Sequence, residues 1–201
     1  MPKQQVIQTG QDKPKGYMDT FTVIHDQAIQ GWVCEEIMED FFTLPMVDII
    51  DEGGNSFMPV DESMRDKNHR YEAQGRVHAN VYPSPLFVKI IDLISFALPQ
   101  GSDFEQISYM QIIQYPENSL FEWHMDTADS DDTGTTILFL NDNFLGGELT
   151  VNGTTICTKQ GTIVGFNRST ETWHSVAPVL RGERYCLAIW YCNEEDNNYA
   201  S

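Results

Sequence analysis

In Phe121-Glu122-Trp123-His124-Met125-Asp126 a histidine and an aspartate stand two residues apart, and His174 follows fifty residues later in Thr172-Trp173-His174-Ser175-Val176. On an extended strand, residues i and i+2 share a face, so His124 and Asp126 can present an imidazole and a carboxylate to one ion. The pair alone is a weak signal, because five histidines and 30 acids in 201 residues give about 0.75 chance His-x-acid matches. His174, on a second predicted strand, completes a set of two histidines and one carboxylate. Three such ligands on one side of a metal leave three positions open, which suits an iron(II) ion that takes a bidentate ligand and dioxygen together. Zinc is the competing ion, but zinc hydrolases with these ligand types use a helical HExxH that this sequence lacks. His25, His69 and His78 have no acid two residues later and read as solvated or structural.

Ten residues after His174 comes Arg184, in Gly182-Glu183-Arg184-Tyr185-Cys186. Its planar guanidinium can hold a carboxylate bidentately. The chain needs such a local cation if its ligand is an anion, because its formal net charge of -18 repels anions at long range. Arg181 and Gly182 suggest a hairpin that folds the last strand back beside that of His174, with Arg181 in the turn and Arg184 facing inward. The competing reading of Arg184 is a strand-end arginine paired with Glu183 or solvent. The same acidity, with only 12 lysines and arginines, argues against nucleic acid as a partner.

These groups need a rigid frame. The length suits a single domain over residues 1–201. Helical support is expected over about 20–100, a core of strands over about 106–192 and a flexible acidic tail over 193–201, with the polar first twenty residues also frayed. After a capping Asp26, the residues Ile29, Trp32, Val33, Ile37, Met38 and Phe41 recur at helical spacing until Leu44 and Pro45. Ser84 as cap and Pro85 as first helical residue open a second helix that carries Phe87, Val88, Ile91, Leu93, Ile94 and Leu98. Both helices are expected to cover one face of a sheet. Residues 51–83, with Gly53 and Gly54, read as a long irregular connection and a mobile cover over the site. From Gln106 onward, eight short β-rich runs (107–115, 121–126, 135–141, 147–152, 154–158, 161–167, 173–179 and 184–192) argue for a jelly roll rather than a βαβ fold. The acidic loop at 129–132 reads as solvated. Cys34, Cys157, Cys186 and Cys192 lack a repeated CxxC spacing and read as reduced, buried thiols. With neither an export signal nor a run of about 20 apolar residues, the expected location is the cytoplasm, away from membranes.

The run Tyr115-x8-His124-x-Asp126, Leu138-Phe139-Leu140-Asn141, Gly146-Gly147-Glu148-Leu149, Gly161-Thr162-Ile163-Val164-Gly165-Phe166, His174 and Arg184 resembles the prolyl 4-hydroxylase-like branch of the iron(II)/2-oxoglutarate-dependent dioxygenases. The resemblance covers about residues 107–192. It implies a double-stranded β-helix core with Fe(II) on His124, Asp126 and His174. It also places Arg184 on the 5-carboxylate of 2-oxoglutarate and Tyr115 in a hydrogen bond to that cosubstrate. Dioxygen is the further cosubstrate implied, and ascorbate a candidate reductant for oxidised iron. Gly146, Gly147 and Glu148 are expected to be structural, the acid anchoring a turn, and Trp173 and Trp190 to be core aromatics.

The chain departs from several branches. Collagen-modifying members carry Lys in place of Arg184, nucleic-acid demethylases carry a second Arg where this chain has Trp190, and halogenating relatives lack the carboxylate that Asp126 supplies. The resemblance therefore implies hydroxylation of a C–H bond, with a peptidyl proline as first substrate and a free amino acid or small metabolite as the alternative. A catalytically silent metal-binding jelly-roll module is the remaining reading.

Overall fold

The computed structural model describes residues 4–7, 22–47, 69–82, 84–98, 107–126, 132–156, 159–167 and 172–192. Among these residues two helices, α1 (Gly31–Thr43) and α2 (Pro85–Ile94), accompany fourteen strands. The N-terminal half supplies β1 (Gln4–Ile7), β2 (Thr22–His25), β3 (Arg70–Ala73) and β4 (Arg76–Asn80). The C-terminal half supplies β5 (Ile107–Tyr115), β6 (Phe121–His124), β7 (Asp132–Phe139), β8 (Leu145–Gly146) and β9 (Leu149–Val151). It continues with β10 (Thr154–Ile156), β11 (Ile163–Asn167), β12 (His174–Val176), β13 (Val179–Arg181) and β14 (Arg184–Cys192). The large sheet runs β1-β2-β11-β7-β14-β5-β4-β3, a four-stranded sheet runs β10-β9-β12-β6, and β13 pairs with β8. All these pairings are antiparallel, which gives the jelly-roll arrangement without a closed barrel.

The large sheet is covered on both faces, and β14 shows how its sequence allows this. Tyr185, Leu187, Ile189 and Tyr191 join the core made with Val33, Ile37 and Phe41 of α1 and Leu86, Ile90 and Ile94 of α2. The alternate residues Cys186 and Ala188, with Trp190 packed beside them, join a second core with Leu149, Val151 and Val176 of the small sheet. A strand buried on both faces reads as a near-continuous apolar run, as β14 does. Both helices thus lie on one sheet, as their periodicity predicts.

The caps divide. Ser84 accepts from Phe87 N at 3.1 Å, with Pro85 opening α2 as its sequence predicts. Asp26, in contrast, does not cap α1, whose N-cap is Gln30 with no side-chain bond. Asp26 instead accepts from Thr162 Oγ1 at 3.1 Å, and Gln27 turns the chain at φ 48°. The entry to α1 is set by Ile29 N donating to Gly161 O at 3.0 Å, a tertiary bond that local sequence cannot reveal.

Three further expectations are corrected. The 51–83 stretch is not irregular throughout: β3 and β4 form a hairpin whose β4 joins β5 through Val77↔Gln114, His78↔Ile113 and Asn80↔Gln111, while 48–68 lie outside the described residues. The first twenty residues include a strand, since Gln4–Ile7 pairs with β2 at the sheet edge. Among the described residues ten strands, not eight, follow Gln106, because β8 and β13 form a separate small ladder. The expected tail at 193–201 and the 129–131 part of the acidic loop lie outside the described residues. Cys34 and Cys186 are free and buried, and burial pushes the Cys34 thiol up to about 11. Among the described residues no helix is long and apolar enough to cross a membrane.

Gly161 sits at φ +80°, and a Cβ there would come 2.0 Å from Ile29 O, the carbonyl of the residue that fixes the start of α1. Gly153 has the same φ of +80° with nothing within 4 Å. Alanine at either position carries the backbone strain of about 1 kcal/mol or more, but only Gly161→Ala adds a backbone clash. Urea denaturation is expected to show Gly161→Ala less stable than Gly153→Ala by at least about 2 kcal/mol.

Candidate metal centre and anion pocket

His124 ends β6, Asp126 follows it, and His174 begins β12, directly across the ladder from His124. The rings of the two histidines lie 4.0 Å apart between centroids. Asp126 Oδ1 lies 3.6 Å from Nε2 of each histidine, and one ligand atom from each of the three residues lies within 4.8 Å of the others. The expected cluster is therefore assembled by one cross-strand pair and the residue just past it.

The other polar atom of each ligand is already engaged, which aims the free atom inward. His124 Nδ1 donates to Glu122 O at 2.7 Å and His174 Nδ1 lies 3.5 Å from Thr172 O, so in the neutral form of each ring the lone pair is on Nε2. Asp126 Oδ2 accepts from Thr135 Oγ1 at 2.9 Å and from Trp190 Nε1 at 3.0 Å, leaving Oδ1 for an ion. Burial pushes the Asp126 carboxyl up, but the hydrogen bond with His124 and the charges of both histidines outweigh it, with Thr135 adding to them, and hold the acid well below the usual carboxylate range. Burial lowers His174 to about 4, against the pull of Asp126 and reinforced by His124, so its imidazole is neutral at pH 7. A carboxylate with imidazole lone pairs is a donor set that fits iron(II).

Trp190 is thus not only a core aromatic. It orients the carboxylate, a role that sequence reasoning missed along with that of Thr135. Trp173 is 45% exposed and is not a core residue.

Arg184 begins β14, opposite Tyr115 at the end of β5. The expected hairpin beside the strand of His174 does not form: β14 pairs with β5 and β7, while β12 pairs with β6 and β9 in the other sheet. Arg184 faces inward because of the alternation of β14 and is 1% exposed. Its guanidinium lies 4.6 Å from the Tyr115 ring centroid and 5.2 Å from that of Phe139. Nη1 approaches Cys186 Sγ at 3.4 Å, and Nε has no partner. The surface pairing with Glu183 is not what is seen, since Glu183 accepts from Tyr185 OH at 2.5 Å. Arg181, at the end of β13, is exposed.

Two motif elements explain how Arg184 is held. Asn141 Nδ2 donates to Glu183 O at 2.8 Å and its Oδ1 accepts from Tyr185 N at 2.8 Å, clamping the backbone on both sides of Arg184. A Cβ on Gly147 would lie 3.1 Å from Arg184 Cδ, so this glycine leaves room for the arginine stem. Glu148 anchors its turn through its backbone carbonyl, which accepts from Ala177 N at 2.9 Å, while the side chain is exposed. Tyr115 is 3% exposed, and burial raises its phenol, as Cys186 does, with Arg184 and Arg76 opposing.

Among the remaining histidines, His78 is buried with Nδ1 3.0 Å from Gln111 Oε1, and its ring stacks on Tyr71. Arg76, which sequence reasoning passed over, is 1% exposed, and its guanidinium lies 3.8 Å from the centre of the Phe121 ring. A basic residue at an inward position of a strand was the available signal, hidden because 51–83 read as irregular.

Loss of either Asp126 partner should loosen the carboxylate without removing it. Thr135→Val and Trp190→Phe are each expected to weaken Mn(II) binding about 10- to 100-fold in calorimetric titration, with the melting temperature little changed.

Residues 110–192 match the family model described as the 2OG-Fe(II) oxygenase superfamily. No curated protein matches the sequence significantly. Among solved structures, an oxidoreductase of the 2OG-Fe(II) oxygenase family from Burkholderia pseudomallei is similar at TM-score 0.62 and 18% identity, over 85% of this chain and 84% of that one. A Pseudomonas putida prolyl-4-hydroxylase is similar at TM-score 0.56 and 18% identity, over 86% and 92%. A Trichoplax adhaerens prolyl hydroxylase, in complex with a hypoxia inducible factor oxygen degradation domain peptide fragment, is similar at TM-score 0.58 and 17% identity, over 90% and 87%. The family match spans every member of the His124, Asp126 and His174 cluster, and the fold is shared with solved 2OG-Fe(II) oxygenase and prolyl hydroxylase structures: this is what the chain is similar to.

Proposed function

We propose that this chain is a 2-oxoglutarate-dependent dioxygenase that hydroxylates a C–H bond, with iron(II) on His124, Asp126 and His174 and with Arg184 holding the far carboxylate of 2-oxoglutarate. The observation that carries the cosubstrate assignment is a guanidinium 1% exposed, with Nε unpartnered and no acid beside it among the described residues. A buried cation without a counter-charge costs several kcal/mol, and a carboxylate from a ligand removes that cost. The register of Tyr115 with Arg184 supports its hydroxyl as a donor to the same ligand.

When bound, the iron supplies the redox chemistry in which dioxygen, 2-oxoglutarate and the substrate C–H become succinate, carbon dioxide and an alcohol. Asp126 and the two histidines would hold the ion, and Thr135 and Trp190 keep the carboxylate in one orientation. Arg184 fixes the orientation of the cosubstrate, and Phe139, Val164 and Phe166 keep water from that end of the interior. Ascorbate would act only as a reductant for inactive ferric enzyme. Likeness to prolyl hydroxylases supports a peptidyl proline as substrate. A free amino acid is the second reading, favoured by the polar inner wall formed by His78, Asn80 and Gln111.

Asp126→Ala or His174→Ala is expected to abolish iron binding and succinate formation while circular dichroism stays that of the wild type; wild-type iron affinity in either variant would refute the triad. The cosubstrate assignment is tested by calorimetric titration of 2-oxoglutarate into the anaerobic Mn(II) form. Arg184→Ala leaves a buried anion unpaired, at a cost of about 2 to 5 kcal/mol, and is expected to weaken binding roughly thirtyfold or more. Exposed Arg181→Ala should cost about 1 kcal/mol or less, and equal effects of the two would overturn the assignment.

A further inference from the structure

Strand β4 turns three side chains in alternation, Arg76, His78 and Asn80, to the same face as Tyr115 and Gln111 of β5. They are 1%, 5% and 2% exposed. Each nevertheless keeps nitrogen atoms without a partner: Nε and Nη1 of Arg76, Nε2 of His78 and Nδ2 of Asn80. Buried polar atoms are normally bonded, and each orphan costs about 1 to 3 kcal/mol. Four such atoms on successive inward residues of one strand mark a surface shaped for something polar.

The surrounding bonds decide what each atom offers. Gln111 Nε2 donates to Asn80 Oδ1 at 2.9 Å and to Tyr71 OH at 2.7 Å, so Gln111 Oε1 is the acceptor for His78 Nδ1–H at 3.0 Å. His78 therefore presents a lone pair at Nε2. Burial, with Arg76 adding to it, lowers His78 to about 4, which keeps the ring neutral. Asn80 Oδ1 also accepts from Tyr71 OH at 3.2 Å and from Tyr109 OH, leaving its amide N–H groups free. Arg76 Nη2 donates to Gln74 Oε1, which tethers the guanidinium with its other nitrogens open. The row offers a cationic fork, an acceptor and an amide donor in that order.

Its position adjoins the metal cluster through the Phe121 ring. The Arg76 guanidinium lies 3.8 Å from the centre of the Phe121 ring, and the His124 ring stacks on Phe121 at 3.7 Å. Arg184 and Arg76 lie 4.6 Å and 5.5 Å from the Tyr115 ring centroid, on strands that flank β5 on either side. A charge count separates their roles. A divalent ion on two neutral imidazoles and one carboxylate leaves one positive charge, which one carboxylate of 2-oxoglutarate cancels. Arg184 cancels the other. Arg76 then remains as a buried positive charge with no acid beside it among the described residues, and an anion other than the cosubstrate would neutralise it.

We propose that β4 is the recognition strand for the primary substrate, a compact molecule with a free carboxylate such as a free amino acid. Arg76 grips the carboxylate, His78 Nε2 accepts from an N–H or O–H of the substrate, and Asn80 Nδ2 donates to a further oxygen. This assignment rests on the reading of Arg184 as the cosubstrate site, and between the two substrates named above it selects the free amino acid over the peptidyl proline. It places the recognised end of the substrate one ring away from His124, close enough for a compact carbon skeleton to reach from Arg76 to the metal.

The test uses acetate and its neutral isostere acetamide as probes. Both are titrated to high concentration at constant ionic strength into the anaerobic Mn(II) and 2-oxoglutarate-loaded protein, with binding read by ligand-observed NMR and melting temperature. Wild type is expected to bind acetate at least tenfold more tightly than acetamide and to be stabilised by it. Arg76→Met should abolish that preference, Arg76→Lys should retain part of it, and both should change 2-oxoglutarate affinity less than threefold. The proposal is overturned by equal binding of the two probes to wild type, which needs no variant to fold. It is also overturned by an acetate preference that survives in Arg76→Met, or by a tenfold loss of 2-oxoglutarate affinity in that variant. Failure of wild type to take up 2-oxoglutarate at all would instead refute the Arg184 reading, and the same acetate comparison on the metal-free protein would then decide Arg76 alone.

Discussion

A guanidinium group buried with no carboxylate beside it among the described residues is a costly feature of this interior, and the fold around Arg184 is built to hold it there. Burial strips the ion of water, and attraction to the faces of Tyr115 and Phe139 returns only about 1 to 2 kcal/mol each. The group stays inside because β14 lies between β5 and β7 and its alternate residues are claimed by the helix core on the opposite face. Rotating Arg184 outward would turn Tyr185, Leu187 and Ile189 away from α1 and α2, a loss of roughly 1.5 to 3 kcal/mol for each large side chain. Asn141 adds a clamp on both neighbouring peptides, and Gly147 leaves space for the stem. The unpaired cation is thus maintained by packing elsewhere, which keeps it available to a ligand.

The metal cluster obeys a related rule with the opposite sign. Asp126 is a half-buried carboxylate whose two oxygens have separate tasks, Oδ2 held by Thr135 and Trp190 and Oδ1 set 3.6 Å from each histidine. The histidines come from adjacent strands of the small sheet, whereas the groups that orient the carboxylate come from β7 and β14 of the large one. The centre therefore forms only when the two sheets face each other across their shared core. Iron affinity and integrity of that core are coupled, as is usual where no site exists in the unfolded chain.

The shared fold with prolyl hydroxylases of bacteria and of an animal accounts for the frame, at identities of 17% to 18%. The inner wall also includes the hairpin of β3 and β4. It adds Arg76, His78 and Asn80 to the row already containing Tyr115 and Gln111, a local concentration of donors that can attract an anion despite a net charge of -18.

Local chemistry made much of this legible in the sequence. Strands β5 and β14 run over 107–115 and 184–192 as their alternation and apolar content predict, and Ser84 with Pro85 marks the start of α2, because period and capping depend on residues within a few positions of each other. The ligand types and order, with Arg184 ten residues past His174, likewise stand in the chain itself. Other features waited on register. The bond from Trp190 to Asp126 joins residues 64 apart, and the one from Thr135 needs β7 beside β14. Asp26 looks like a helix cap until Thr162 reaches it from 136 residues away. Arg76 sits in a stretch without visible periodicity, and only its pairing with β5 turns it to the interior. Sequence determined which groups are present and the local geometry each can adopt; tertiary structure decided which of them meet, since cross-strand partners are selected by the burial of whole faces rather than by any neighbour along the chain.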